Sequence, residues 1–367
     1  MAPTHGKQDV QPILQSEKAG RYPASGRRFD LIVSVLSLWI LAGLYLDGSA
    51  HHHIPDLIET FFTPWHAVLY SGFAASAGLL LITQWRNVSK GYRWTHSLPQ
   101  GYMTSLLGSV IFLFSGGADF LWHTAFGFEV GLEALVSPSH LALAVGGVLM
   151  ISGPLRATIQ RSAQQEVKGW HELLPVVLSL LGILSVLTFF NGDFAIITYP
   201  NFMAIRPSGS DTFLNDTHAL ASVLIPSALL MGVILFALRH WTLPPGSLTF
   251  LIVGNGLLMT WFHLKEVYMY PQILVAVFVA GIAADVLYSL LRPSAVRVHA
   301  LRLFAFAVPA ILFALFFVIL IITAGIWWSV HLWTGAVFLA GVIGLLLSYL
   351  THPFINAKAP LFPGSIQ

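Results

Sequence analysis

The sequence predicts an all-α integral membrane protein, a polytopic helical bundle of about ten spans. Three observations lead there. Apolar residues fill 56 % of the 367 positions and charged ones only 9 %, where a soluble domain carries about 25 %. Mean hydropathy is +0.75. Apolar stretches of about the 20 residues needed to cross a bilayer recur along the chain between short polar connections. No soluble fold of this length has interior enough to hide so much apolar surface, so lipid must cover it.

A polar tail over 1–29 leads into the first apolar stretch, Leu31 to Leu46. No small-residue cleavage pattern follows it, so it reads as a retained span rather than a signal peptide. The spans fall at 30–47, 64–84, 101–123, 138–155, 173–190, 217–238, 246–263, 270–291, 300–325 and 329–350, and a tail over 351–367 closes the chain. Residues 30–350 thus form one transmembrane domain. Sixteen of the 18 basic residues fall on one side of this arrangement: Lys7, Lys18, Arg21, Arg27, Arg28, Arg86, Lys90, Arg93, Arg156, Arg161, Lys168, Arg239, Arg292, Arg297, Arg302 and Lys358. Only Arg206 and Lys265 fall on the other. Basic residues mark the cytoplasmic face, so both termini are expected in the cytoplasm of a multi-pass cell-membrane protein. A wrong span count would have scrambled the alternation.

Composition also narrows function. A net charge of +2 argues against a nucleic-acid partner, and the lipid bilayer is the expected surrounding. With no cysteine, disulfides, thiolate zinc or copper sites and iron–sulfur clusters are excluded. No phosphate loop, dinucleotide fingerprint or serine-nucleophile motif stands in a credible context. Aromatic residues read as lipid interface and core.

Histidine is the informative residue. His51, His52, His53, His66, His123, His140, His218, His263 and His331 all map to the outer half, away from the basic face. Asp47, Asp56, Glu59, Asp119, Glu129, Glu133, Asp193, Asp211, Asp216 and Glu266 follow them there. His66, His140 and His218 each stand third after a Thr, Ser or Asn that can cap a helix, and Pro64 and Pro138 occupy the favoured first helical position. The stretches TPWHAVLYSGF and SPSHLALAVGG are one device used twice, a helical hairpin apart, with NDTHALASVLI a weaker third copy one further hairpin along. These spacings suggest a degenerate hairpin repeat. Ser329-Val330-His331 is a fainter echo.

A histidine in a first turn feels the positive end of the helix dipole, which keeps the ring neutral, and neutral imidazole is the metal-binding form. Asp119 and His123, on successive turns, share a helix face, and a carboxylate at that depth needs a partner or a wet cavity. The expected site therefore joins His66, His123 and His140 to a single aspartate, Asp119, with His218 and His263 as further ligands. Glu133, Asp216 and Glu266 are candidate general bases or ligand-orienting groups. The run His51–His53 reads as a solvated stretch that binds metal adventitiously. The implied cofactor is a divalent transition metal: copper, zinc or non-haem iron.

The run TPWHAVLYSGF, with GGADFLWHTAFGFEVGLEALVSPSH, resembles an uncharacterised family of bacterial multi-span membrane proteins, over most of the chain. Asp119-x3-His123 with a later His140 is similar to the copper-binding pattern of the C subunit of copper membrane monooxygenases, although that family's second histidine follows sooner. This likeness implies copper and oxidative chemistry. Membrane zinc hydrolases of the alkaline ceramidase type share Asp and His on neighbouring spans, but their paired His-x3-His is missing here.

Three function classes fit these residues. The first is a metal-dependent enzyme, oxidoreductase or hydrolase, acting at the outer face on a lipophilic or extracytoplasmic substrate. The second is a transporter or channel that passes a proton or metal ion. The third holds haem b between histidines of different spans. A conduit needs polar groups through the inner half too, where Asp285 and Asn255 are the main candidates.

Overall fold

The computed structural model describes residues 22–24, 26–54, 61–127, 135–192, 200–204, 212–263 and 270–351, without the side chains of 201 and 202. Most of the two expected tails lies outside the described residues, as do Asp56, Glu59, Glu129, Glu133, Asp193, Arg206, Asp211, Lys265 and Glu266. The described helices are α1 (Arg27–His53), α2 (Pro64–Val88), α3 (Met103–Phe126), α4 (Pro138–Ile151), α5 (Gly153–Ser162), α6 (Gly169–Phe189), α7 (Pro200–Ala204), α8 (Thr212–His240), α9 (Ser247–Phe262), α10 (Ile273–Leu291), α11 (Val298–Thr323) and α12 (Val330–Thr351). No strand occurs among the described residues. Among them nine spans are long and apolar enough to cross a membrane, α4 and α5 counting as one, and α9 is a shorter apolar helix. All ten expected spans are therefore helical, with ends shifted by a few residues.

Helix α6 is the axis. It packs on α1, α4, α5, α8 and α9, and the rest of the bundle wraps around it as α1–α2 and α3–α4 hairpins on one side and α8 to α12 on the other. Small residues set the closest crossings, as membrane helices without a hydrophobic driving force require. Gly43 lies against the Leu69 backbone and Gly72 against that of Ile40, which seats α1 on α2. Gly108 and Gly146 meet backbone to backbone and seat α3 on α4.

The fourth span is not one straight helix. Pro154 has no N–H for the Met150 carbonyl, and the chain breaks at Ser152 between α4 and α5. The freed acceptors are used: Ser105 Oγ donates to Leu149 O and Met150 O at 3.1 and 3.3 Å, and the Arg156 guanidinium donates to Leu149 O at 2.8 Å. Arg156 also reaches Gly101 O at 2.9 Å, so a basic side chain closes the break rather than facing water.

Contacts gather the basic residues at one end. Arg161 pairs with Asp30 at the start of α1, Arg27 meets His171 at the start of α6, and Arg239 at the end of α8 reaches Thr351 at the end of α12. Asp285 does not open a polar path inward from that end. Its carboxylate accepts from Gly246 N at 3.0 Å, Thr249 N at 2.7 Å and Thr249 Oγ1 at 2.5 Å, capping the start of α9 from a neighbouring helix. Asn255 is a tie as well, donating to Thr188 Oγ1 at 2.7 Å.

Candidate metal centre

The opposite end collects the outer-half histidines, and two hairpins present four of them, His51, His66, His123 and His140, in the same way. Helix α1 closes on Asp47 and His51, one turn apart, and α2 opens on Thr63-Pro64-Trp65-His66. Helix α3 closes on Asp119 and His123, and α4 opens on Ser137-Pro138-Ser139-His140. The expected caps form: Thr63 Oγ1 accepts from His66 N at 3.2 Å and Ser137 Oγ from His140 N at 3.5 Å. Each first-turn histidine is thereby aimed at the aspartate of its partner helix.

Two groups result. Asp47, His51 and His66 each offer a ligand atom within 4.8 Å of the others, and so do Asp119, His123 and His140. His66 Nε2 lies 3.4 Å from Asp47 Oδ2, while His140 Nε2 and His123 Nε2 lie 3.1 and 3.5 Å from Asp119 Oδ1. Asp119 is buried, and Ser139 Oγ donates to its Oδ1 at 2.9 Å.

The far ring nitrogens set the tautomers. His66 Nδ1 donates to Phe61 O at 2.7 Å and His123 Nδ1 to Gly127 O at 3.3 Å. A carbonyl can only accept, so Nδ1 carries the hydrogen and, in the neutral ring, Nε2 carries the lone pair. His140 Nδ1 lies 2.9 Å from Ser137 Oγ, a hydroxyl that can donate or accept, so this contact orients the ring and turns its Nε2 to Asp119 without fixing the tautomer. Imidazole nitrogens and carboxylate oxygens thus converge, a set of ligand atoms of the kind that divalent transition metals take. Such outer hydrogen bonds are what metal-ligating histidines require.

Both groups line one cavity of about 150 Å³. One buried water needs roughly 10–15 Å³ by this measure, so the space takes about ten water-sized atoms. Below the His/Asp ends its wall is apolar, with Ile40, Leu44, Leu69, Leu143 and Ile151 along the helices. The cavity therefore runs from the polar end toward the middle of the bundle.

The structure parts the expected site residues. Asp119, His123 and His140 come together, whereas His66 joins Asp47 and His51 in the second group. Two aspartates, not one, serve the cavity. His218 and His263 belong to neither group among the described residues. His218 is exposed, and α8 begins at Thr212, so Asn215 is no cap and the third copy of the device sits inside a helix. No proline stands in the three residues before His218, as Pro64 and Pro138 stand before His66 and His140. His263 is fully buried after α9, with its ring 4.5 Å from Phe262 and 5.2 Å from His52. Asp216 is half-buried on α8 and does not line the cavity. Glu133 and Glu266 lie outside the described residues.

The solvated reading of His51–His53 is corrected. Helix α1 runs through His53, so the three rings point in different directions. His51 and the more exposed His52 both line the cavity, the His52 ring stacking on Phe262 at 5.6 Å, while His53 Nδ1 donates to Ser49 O at 2.8 Å. Asp47 and His51 are the site residues that sequence reasoning missed. Their signal was present: Asp47-x3-His51 has the spacing of Asp119-x3-His123, one hairpin earlier.

Fold and site define a membrane-spanning helical protein with two His/Asp groups, each able to hold a metal ion. No protein-family model, curated protein or solved structure matches the chain.

Proposed function

We propose that the chain is a metal-dependent membrane enzyme, an oxidoreductase or hydrolase, acting on a lipophilic or extracytoplasmic substrate. One observation carries the reading: Asp119, His123 and His140 form an oriented set of two imidazoles and a carboxylate on the wall of an apolar cavity. Copper, zinc and non-haem iron all accept such a donor set, and two histidines with one carboxylate leave positions open for a reactant. When bound, the ion supplies Lewis acidity or, if redox-active, electrons. The likeness to the C subunit of copper membrane monooxygenases belongs to the same reading.

The chain's own groups do the rest. Ser139 holds Asp119, the Gly127 carbonyl and Ser137 fix the two rings, and the apolar wall below them excludes water and accepts an aliphatic segment. By the basic-residue rule the Arg-rich end faces the cytoplasm, so the cavity lies near the extracytoplasmic face of the cell membrane. The inner half carries Asp285 as a helix cap and Asn255 as an interhelical tie, which favours a one-sided site over a conduit.

The test combines elemental analysis of the purified protein with lipid conversion. Wild type is expected to hold metal that the Asp119→Ala/His123→Ala variant loses from this group, and the loaded protein is expected to alter a membrane lipid extract in a chelator-sensitive way, read by mass spectrometry. Metal-free wild type that conducts protons or ions in vesicles would end the enzyme reading. A milder change acts through orientation alone. Ser137→Ala is expected to weaken metal binding by about 10–100-fold, as loss of an outer hydrogen bond to a ligand does. A competition titration against a chelating dye reads that shift.

A further inference from the structure

Resting on that reading, we propose that Asp47, His51 and His66 form a second metal site, the product of a duplicated hairpin, so that two divalent transition-metal ions face one shared cavity. The duplication is visible once both hairpins are aligned. The interval from Asp47 to Asp119 equals that from His51 to His123, and the interval from His66 to His140 is nearly the same. Around the second histidine the copies agree further. Thr63 and Ser137 cap, Pro64 and Pro138 start the helix, Leu69 and Leu143 line the cavity, and Gly72 and Gly146 make the close crossing at the same distance past the histidine.

The geometry of the second group is that of a ligand set. Its donors, two imidazoles and a carboxylate, are those of the first group. His66 is 5 % exposed, and its Nδ1 is committed to the Phe61 carbonyl, leaving Nε2 toward Asp47. Asp47 Oδ1 is buried and accepts no hydrogen bond among the described residues. A buried carboxylate oxygen without a donor carries a desolvation cost that a cation removes.

The two groups serve the same space. The Phe61 ring stacks on His66 at 4.8 Å and lies 6.4 Å from His123, so one phenyl ring stands beside an imidazole of each group. Among the described residues no lysine or arginine lines the cavity. Two aspartates therefore face it without either side chain beside them, and two bound cations supply the missing positive charge.

Cobalt(II) titration of the chelator-stripped full-length protein, followed by its visible absorption and by elemental analysis, tests this. Wild type is expected to take two equivalents. Asp47→Ala and His51→Ala should each take one, Asp119→Ala one, and Asp47→Ala/Asp119→Ala none. His53→Ala, at the member of the run that does not line the cavity, should keep two, which separates the site from adventitious binding by the histidine run. Should Asp47→Ala fail to fold, His51→Ala at its less buried position gives the same readout, and the equivalent retained at the Asp119 group certifies folding. Wild type taking one equivalent, or Asp47→Ala and His51→Ala binding as much as wild type, would overturn the second site while leaving the first intact. Wild type binding none would instead remove the metal reading itself. With copper(II) in both sites, dipolar broadening of the electron paramagnetic resonance signal is expected; two isolated-ion spectra would overturn the shared cavity.

Discussion

Asp30→Ala is expected to destabilise the protein by about 3–5 kcal/mol, the cost of removing one partner from a buried ion pair. Asp30 is fully buried at the start of α1, at the end away from the histidines. Its Oδ1 accepts from the Tyr102 hydroxyl at 2.6 Å, and its Oδ2 pairs with Arg161 Nη2 at 2.5 Å. One carboxylate thus joins α1, the segment before α3 and the end of α5. Alanine would leave a buried phenol without its acceptor and a guanidinium, three-quarters buried, without this carboxylate. Asp30→Asn keeps an acceptor for Tyr102 and should recover part of the loss. The thermal midpoint in detergent reads the effect, and a midpoint indistinguishable from wild type for Asp30→Ala would refute it. Metal content should stay at the wild-type value in the folded fraction, because the pair lies at the opposite end from both His/Asp groups.

The spans were legible because a bilayer imposes a length and a composition that hydropathy reads directly, and every expected span became helix. The break at Ser152 was not, since one Ser-Gly-Pro run leaves the average hydropathy of the fourth span unchanged. The caps of His66 and His140 were legible as well, because a Thr or Ser, then proline, then histidine is a local pattern with local physics. His51 was hidden by its neighbours. Three consecutive histidines look like a solvated tract, and only the continuation of α1 through His53 shows that His51 and His52 line the cavity while His53 does not. Asp47 was hidden differently: a lone aspartate at a helix end has several uses, and what it faces is a tertiary fact. His218 erred the other way, because Asn215 is already inside α8 and cannot cap it, and the histidine side chain is exposed.

Gly146→Leu should cost the α3–α4 group its metal while sparing the α1–α2 group. A Cβ on Gly146 would stand 2.8 Å from Phe112 N and 2.9 Å from Gly108 O, and one on Gly108 would stand 2.7 Å from Gly146 O. Those neighbours are backbone and cannot rotate away, so a leucine must push the two helices apart, at an overpacking cost of about 1–3 kcal/mol. At the helical rise per residue, His140 lies about 9 Å along its helix from Gly146, and Asp119 about 16 Å along its own from Gly108. Separation at the crossing is carried along both rigid arms to their ends, where His140 Nε2 and Asp119 Oδ1 now lie 3.1 Å apart. A displacement of about 1 Å in such a constellation is worth on the order of 100-fold in function. Gly147→Ala is the matched control: its added Cβ meets only Phe112 Cε2, at 3.9 Å, and should change nothing measurable. Cobalt titration should therefore fall from two equivalents to one in Gly146→Leu and stay at two in Gly147→Ala. Two equivalents bound with wild-type affinity in Gly146→Leu would show that the backbone crossing does not position the site, and that the loops beyond the helix ends hold it together instead.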